Sequence, residues 1–346
     1  MKKLVLAVIL LFSLALPVHA EQIDVPDAPD EAEIYMPDEP QNFGEGLLYV
    51  LTKAIAAVSP ELKASSGVCI SLIGIMLLCS MFRNFSSPSQ KIVDLASALM
   101  VGLLLLSPAN TLIRLGISTI NDLNEYGKLF MPAMATALAA QGGTVTSAAL
   151  YTATIAFAVV LSMIVQKIIV PVIYTHICLS LACCAMDNEM LSKLKAFSKW
   201  LATWILKIIL YVFMGYVSIT GVISGTADAT AVKAVKLSIS AFVPVIGGIL
   251  SDASETILVG AAAVKNAAGL YGLFAMLCIW IGPFIKIGLQ YVLLKATGAI
   301  CTAFGNKKTT DLIKDFSTSM GLVLAMTGAL CLLLIISTVC FMRSAI

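Results

Sequence analysis

Residues 320–342, MGLVLAMTGALCLLLIISTVCFM, contain no charged side chain and no proline. A helix rises about 1.5 Å per residue, so about 20 such residues reach across a hydrocarbon core of roughly 30 Å. A helix that is apolar on every side needs either lipid or a full sheath of protein around it. Repetition favours lipid here. Further apolar runs lie at 66–82, 92–106, 148–165, 168–185, 205–223, 237–264, 267–283 and 284–304. The 346 residues are 59 % hydrophobic and 12 % charged, where soluble domains carry about 25 % charge. The reading is an all-α, polytopic helical membrane protein. It has about seven or eight apolar segments, one or more of them broken or re-entrant, plus amphipathic helices at the interface.

Working outward from that span, the chain begins with a different kind of apolar run. Residues 1–20, MKKLVLAVILLFSLALPVHA, have Lys2 and Lys3, an apolar core, and Val18 and Ala20 at the end. That is the form of a cleavable signal peptide; the rival is an uncleaved first helix. Residues 21–41, EQIDVPDAPDEAEIYMPDEPQ, hold eight carboxylates, four prolines and no Lys or Arg. Residues 21–44 therefore read as an acidic, disordered, exported linker, and 45–346 as the helical membrane domain.

Within that domain, Leu47, Leu48, Leu51, Ile55 and Val58 recur at helical spacing and Pro60 is expected to stop them. A second amphipathic pattern, Ile113, Ile117, Ile120, Leu123, Tyr126 and Phe130, follows the 92–106 run, and Gly142-Gly143 marks a corner. Runs 148–165 and 168–185 are parted only by Gln166 and Lys167, which allows a hairpin or one long helix bent at Pro171. Residues 187–201 are amphipathic again, with Met190, Leu194, Phe197 and Leu201 on one side, and Trp200 and Trp204 mark an interface. Gly221 and Gly225 form a GxxxG, and a break is expected at Gly282-Pro283. With the mature N-terminus outside and each run crossing once, except that 237–264 re-enters, the loops bearing Arg83 and Lys91, Lys167, Lys233 and Lys236, and Lys307, Lys308 and Lys314 are cytoplasmic. Lys193, Lys195, Lys199 and Arg343 then fall on the opposite side.

The least membrane-like stretch is 242–257, FVPVIGGILSDASETI. Pro244 and the pair Gly247-Gly248 end one helix. Asp252 and Glu255 then have the spacing of a capping box for the next helix, which Asn266 closes after Lys265. That helix is about 18 Å long, short of a full crossing. Irregular backbone at membrane depth must be shielded by protein or line a watery cavity. Pro244, Gly247, Gly248, Asp252, Glu255, Lys265 and Asn266 are therefore the candidate broken-helix, polar-path residues. The plainer alternative is a helix cap at the water interface, with Lys265 reaching for headgroups.

Several chemistries lack their residues. His19 belongs to the leader, and His176 reads as a hydrogen-bonded membrane histidine. No HExxH, GxxxxGK[ST] or GxSxG is present. The nine cysteines form no CxxC and read as small apolar side chains. No catalytic residue, metal or cofactor is expected, and no basic tract points to nucleic acid.

The pieces FVPVIG (242–247), SDASET (251–256) and VKN (264–266), with Gly269 and Gly272 after them, resemble the central motif of the stage III sporulation protein AE family. So does LFMPAMATALAAQGGTVTSAA, residues 129–149. In two places the sequence departs from the family: its exported segment is shorter, and Gly248 stands where a basic residue is expected. The resemblance implies a multi-pass protein of the mother-cell membrane around the forespore in endospore-forming bacteria. It implies the other stage III sporulation AA to AH proteins and stage II sporulation protein Q as partners in a channel between the two cells. Membrane lipids are the further expected contact.

Three functions stay open at this point. One is a non-enzymatic subunit of that channel. The second is a stand-alone secondary transporter using Asp252 and Glu255, which predicts inverted repeats. The third is a membrane scaffold whose amphipathic helices 113–130 and 187–201 present docking faces.

Overall fold

The structure is a computed structural model that describes residues 26–37, 43–85, 90–140, 144–186, 188–219, 267–303 and 307–344. No strand occurs among them. The elements are α1 (Asp30–Glu33), α2 (Phe43–Phe85), α3 (Gln90–Ala140), α4 (Thr144–Ile164), a π-turn (Val165–Ile169), α5 (Val170–Ala185), α6 (Glu189–Ile219), α7 (Ala267–Cys301) and α8 (Lys307–Ser344). Six helical stretches among the described residues are long and apolar enough to cross a membrane.

The run 320–342 is the axis of the molecule. Of the most apolar window of α8, 94 % is buried inside the chain, against 22 % for α2. Helices α3, α4, α5, α6 and α7 all pack on α8. Its all-round apolarity is thus met by protein, and the lipid-length helices around it carry the exposed apolar side chains. Small residues permit the close approach. A Cβ on Gly116 would lie 2.5 Å from Val323 Cγ1, and one on Gly127 would lie 3.0 Å from Leu334. Some buried polar groups pair between the two helices: Trp280 Nε1 donates to Thr327 Oγ1 at 3.2 Å, and Ser317 Oγ donates to the Tyr291 carbonyl at 2.9 Å.

Prolines expected to end helices do not. Pro60 lies within α2 and Pro283 within α7. In α2 the buried residues Val50 and Ala54 before Pro60 and Cys69, Leu72 and Met76 after it continue one stripe. Packing on both sides holds the helix through the one lost hydrogen bond. Gly282, expected at a break, lies within the helix beside the Tyr35 ring, 3.5 Å from where a Cβ would sit. Pro171 does mark a change. The chain from 144 to 185 is one continuous helical path, not a hairpin, and the turn before the proline widens to π geometry. The π-turn ends at Ile169, so the proline without an N–H sits at the start of α5.

The acidic linker, read as disordered, is ordered over residues 26–37. Ala32 is buried, the Ala28 amide donates to the Tyr271 hydroxyl at 3.4 Å, and α1 packs on α7. Burial, and then the Glu61 carboxylate, push the Tyr35 hydroxyl above its ordinary pKa.

Single passage of 144–185 rearranges the ends of the bundle. The joins α2–α3, α5–α6 and α7–α8 lie at one end, where Ser97 Oγ and Thr309 Oγ1 are 3.3 Å apart and Lys195 meets Asp315 at 2.7 Å. The start of α2, the start of α7 and the end of α8 lie at the other, where Phe43 stacks on Phe274 and Gly269 faces Met342. Lys193, Lys195 and Lys199 therefore join Lys307, Lys308 and Lys314 at one end. The sequence reading had separated them because it counted two crossings between 148 and 185.

Candidate functional site

The sequence-predicted polar-path residues Pro244, Gly247, Gly248, Asp252, Glu255, Lys265 and Asn266 lie outside the described residues, as do residues 1–20 and the Gly221–Gly225 pair. Two neighbouring glycines of the same motif are described. A Cβ on Gly272 would collide with the Phe130 ring, and one on Gly269 would collide with Met342. Phe130 belongs to the other distinctive stretch, 129–149, and is fully buried. It stacks on Tyr126 with centroids 5.7 Å apart and 17° between planes. The two distinctive stretches of the sequence thus meet in space, glycine against aromatic ring. The Tyr126 hydroxyl is buried there with no hydrogen-bond partner among the described residues.

At the opposite end lies a polar cluster that sequence reading did not assemble. His176, on α5, is 1 % exposed. Its Nδ1 stands 3.1 Å from Ser198 Oγ and 3.2 Å from the Lys195 carbonyl oxygen, both on α6. Ser198 Oγ donates to that same carbonyl at 2.7 Å. Nδ1 is thereby the protonated nitrogen, and Nε2 is buried without a partner among the described residues. One turn away, Lys195 Nζ donates to Asp315 Oδ2 at 2.7 Å, with both side chains about one-fifth exposed. The ion pair ties α6 to the central helix, and the histidine ties α6 to α5. The expectation of a hydrogen-bonded membrane histidine holds. Its partners carried no signal in the sequence, because Ser198 lies 22 residues away and Lys195 contributes its main-chain carbonyl.

Beside the pair opens a cavity of about 500 Å³, lined among others by Cys183, Asn188, Glu189, Lys307, Lys308 and Asp311. Charges of both signs balance across it. Among the described residues no group of three or more His, Cys, Asp or Glu could hold a metal ion. All nine cysteines are free, and all but Cys178 and Cys183 are buried. The arrangement can position helices and sort charge.

The sequence profile of the family described as stage III sporulation protein AE matches residues 41–345. The chain belongs to the stage III sporulation protein AE family. The stage III sporulation protein AE of Bacillus subtilis (strain 168) is 22 % identical over 298 residues, covering 86 % of this chain and 74 % of that protein. No solved structure matches. Family membership carries a role in sporulation, and the six span-length helices make the chain a membrane protein. The Gly272–Phe130 and Gly269–Met342 contacts and the polar cluster fall inside the matched residues.

Proposed function

We propose that this chain is a polytopic, non-enzymatic membrane subunit of the channel-like assembly that links mother cell and forespore and supports forespore development. The family match over 41–345 carries the reading. The leader at 1–20 is removed after export, and the acidic end of the bundle faces the space between the two membranes. The basic end, with Lys193, Lys195, Lys307 and Lys308, faces the mother-cell cytoplasm. Partners are the other stage III sporulation AA to AH proteins and stage II sporulation protein Q. Residues 237–264, broken at Pro244 and Gly247-Gly248, enter the membrane without crossing it, so that Asp252 and Glu255 line a polar path.

Deletion in the spore-forming host, with complementation by tagged chain, tests this. Expected are engulfed forespores that stop developing, tagged protein in the mother-cell membrane around them, and co-purification with the sporulation partners. Normal spores without the chain, or membrane insertion with no partner recovered, would overturn it. The motif has its own test. Asp252→Asn and Glu255→Gln should lower spore yield at normal membrane levels, whereas full tolerance of both leaves the residues as plain helix caps.

A further inference from the structure

A second cavity, of about 600 Å³, opens between α6 and α7 over the side of α8. Four lysines from three helices line it: Lys199 and Lys207 on α6, Lys295 on α7 and Lys314 on α8. No Asp or Glu is among the described residues that line it. Lys199, Lys207 and Lys295 form no ion pair with any described residue, and Lys314 reaches Asp311 only at 3.9 Å on its own helix. The neighbouring cavity, with Asp311, Asp315 and Glu189, balances its lysines; this one does not. Four ammonium groups around one space repel one another unless an anion sits among them.

The surroundings are amphiphilic. Lys199, Thr203 and Lys207 stand at i, i+4 and i+8, so they form one stripe of α6 facing the cavity. The adjacent stripe, Trp200, Trp204 and Ile208, is exposed and apolar. Helix α7 repeats the pattern: Tyr291, Lys295 and Ala299 face the cavity, and Val292 and Ile300 beside them are exposed. Lys295 Nζ lies 3.4 Å from the Tyr291 hydroxyl, on the cavity wall. Exposed tryptophans mark headgroup depth in a membrane protein. A basic cavity at that depth, between two apolar stripes, has the shape and charge of an anionic lipid's two parts.

We propose that Lys199, Lys207, Lys295 and Lys314 form a binding site for the phosphate headgroup of an anionic phospholipid, whose acyl chains lie along the Trp204 and Val292 stripes. Charge complementarity supplies the selectivity over zwitterionic lipid, and the fixed spacing of three helices supplies the site.

The test uses the purified full chain in neutral detergent. Thermal unfolding is followed while phosphatidylglycerol, phosphatidylcholine or inorganic phosphate is added, at low and at high salt. Phosphatidylglycerol should raise Tm by several degrees and phosphatidylcholine should not. In Lys207→Gln/Lys295→Gln the apparent affinity for phosphatidylglycerol should fall by about 25-fold, roughly fivefold for each lysine. Lys53→Gln/Lys128→Gln, with the same charge change elsewhere, should leave it unchanged. Native mass spectrometry of the chain from its own membrane should show retained anionic lipid, lost in the first double variant. Equal stabilisation by both lipids, or an equal fall in both double variants, overturns the proposal. Inorganic phosphate matching the lipid's effect at the same concentration would also overturn it, assigning the cavity to a soluble phosphate.

Discussion

Gly272 has no room for a side chain, because the Phe130 ring occupies the space a Cβ would need. Both partners sit in the core, so neither can swing aside cheaply. Gly272→Val is expected to destabilise the chain by about 1–3 kcal/mol, read as a lowered Tm in detergent, and to reduce spore yield in complementation. An unchanged Tm would mean that the two distinctive stretches do not touch. The Lys195–Asp315 pair makes a second residue-scale prediction. Asp315→Asn leaves a lysine one-fifth exposed and unpaired, at a cost of about 2 kcal/mol. Adding Lys195→Gln should return part of that loss, because the uncompensated charge goes with it. A double-mutant cycle with no coupling would leave the pair as a surface contact.

The amphipathic helices separate at the scale of elements. On α3, Ile113, Ile120, Leu123, Tyr126 and Phe130 are all buried in the core. That face is occupied, which removes 113–130 from the scaffold hypothesis. On α6, Met190, Leu194, Phe197, Trp200 and Trp204 are exposed. Ile120→Ala should cost about 2 kcal/mol or more through lost packing, whereas Leu194→Ala should stay within about 0.5 kcal/mol. Thermal melts of the two variants decide it, and equal losses would place both faces in the same environment. The prolines belong to this scale as well. Local rules place helix ends at Pro60 and Pro283, yet the apolar stripes on either side share one packing surface. A lost hydrogen bond is small beside the contacts that would be broken by turning the chain there. Ahead of Pro171 the helix widens to a π-turn.

At the scale of the whole molecule, the two ends of the bundle differ: one gathers lysines, part of them paired with Glu189, Asp311 and Asp315, and the other holds the acidic segment. Glu45 and the acidic segment stand at one, and Lys193, Lys195, Lys307 and Lys308 stand at the other. Positive charge marks the cytoplasmic side. In a cysteine-depleted chain, Glu45→Cys should react with an impermeant maleimide applied from outside cells that make the chain, and Lys307→Cys only after the membrane is opened. The reverse pattern would invert the orientation. Equal reactivity of both would argue against a bundle with opposed ends.

The sequence alone determined the class of this protein. Its apolar runs, sparse charge and lack of catalytic motifs state a helical membrane protein, because burying that much hydrocarbon admits few other solutions. It also carried the family, through the motif around 242–272 and the 129–149 stretch. The tertiary structure decided which apolar run is the axis, since 320–342 reads the same whether lipid or protein surrounds it. It decided that 144–185 passes once, which brings the scattered lysines to one end. It brought Phe130 to Gly272, His176 to Ser198 and Lys195 to Asp315. Periodicity along one helix reports which side is apolar, but what covers that side depends on helices far away in the chain.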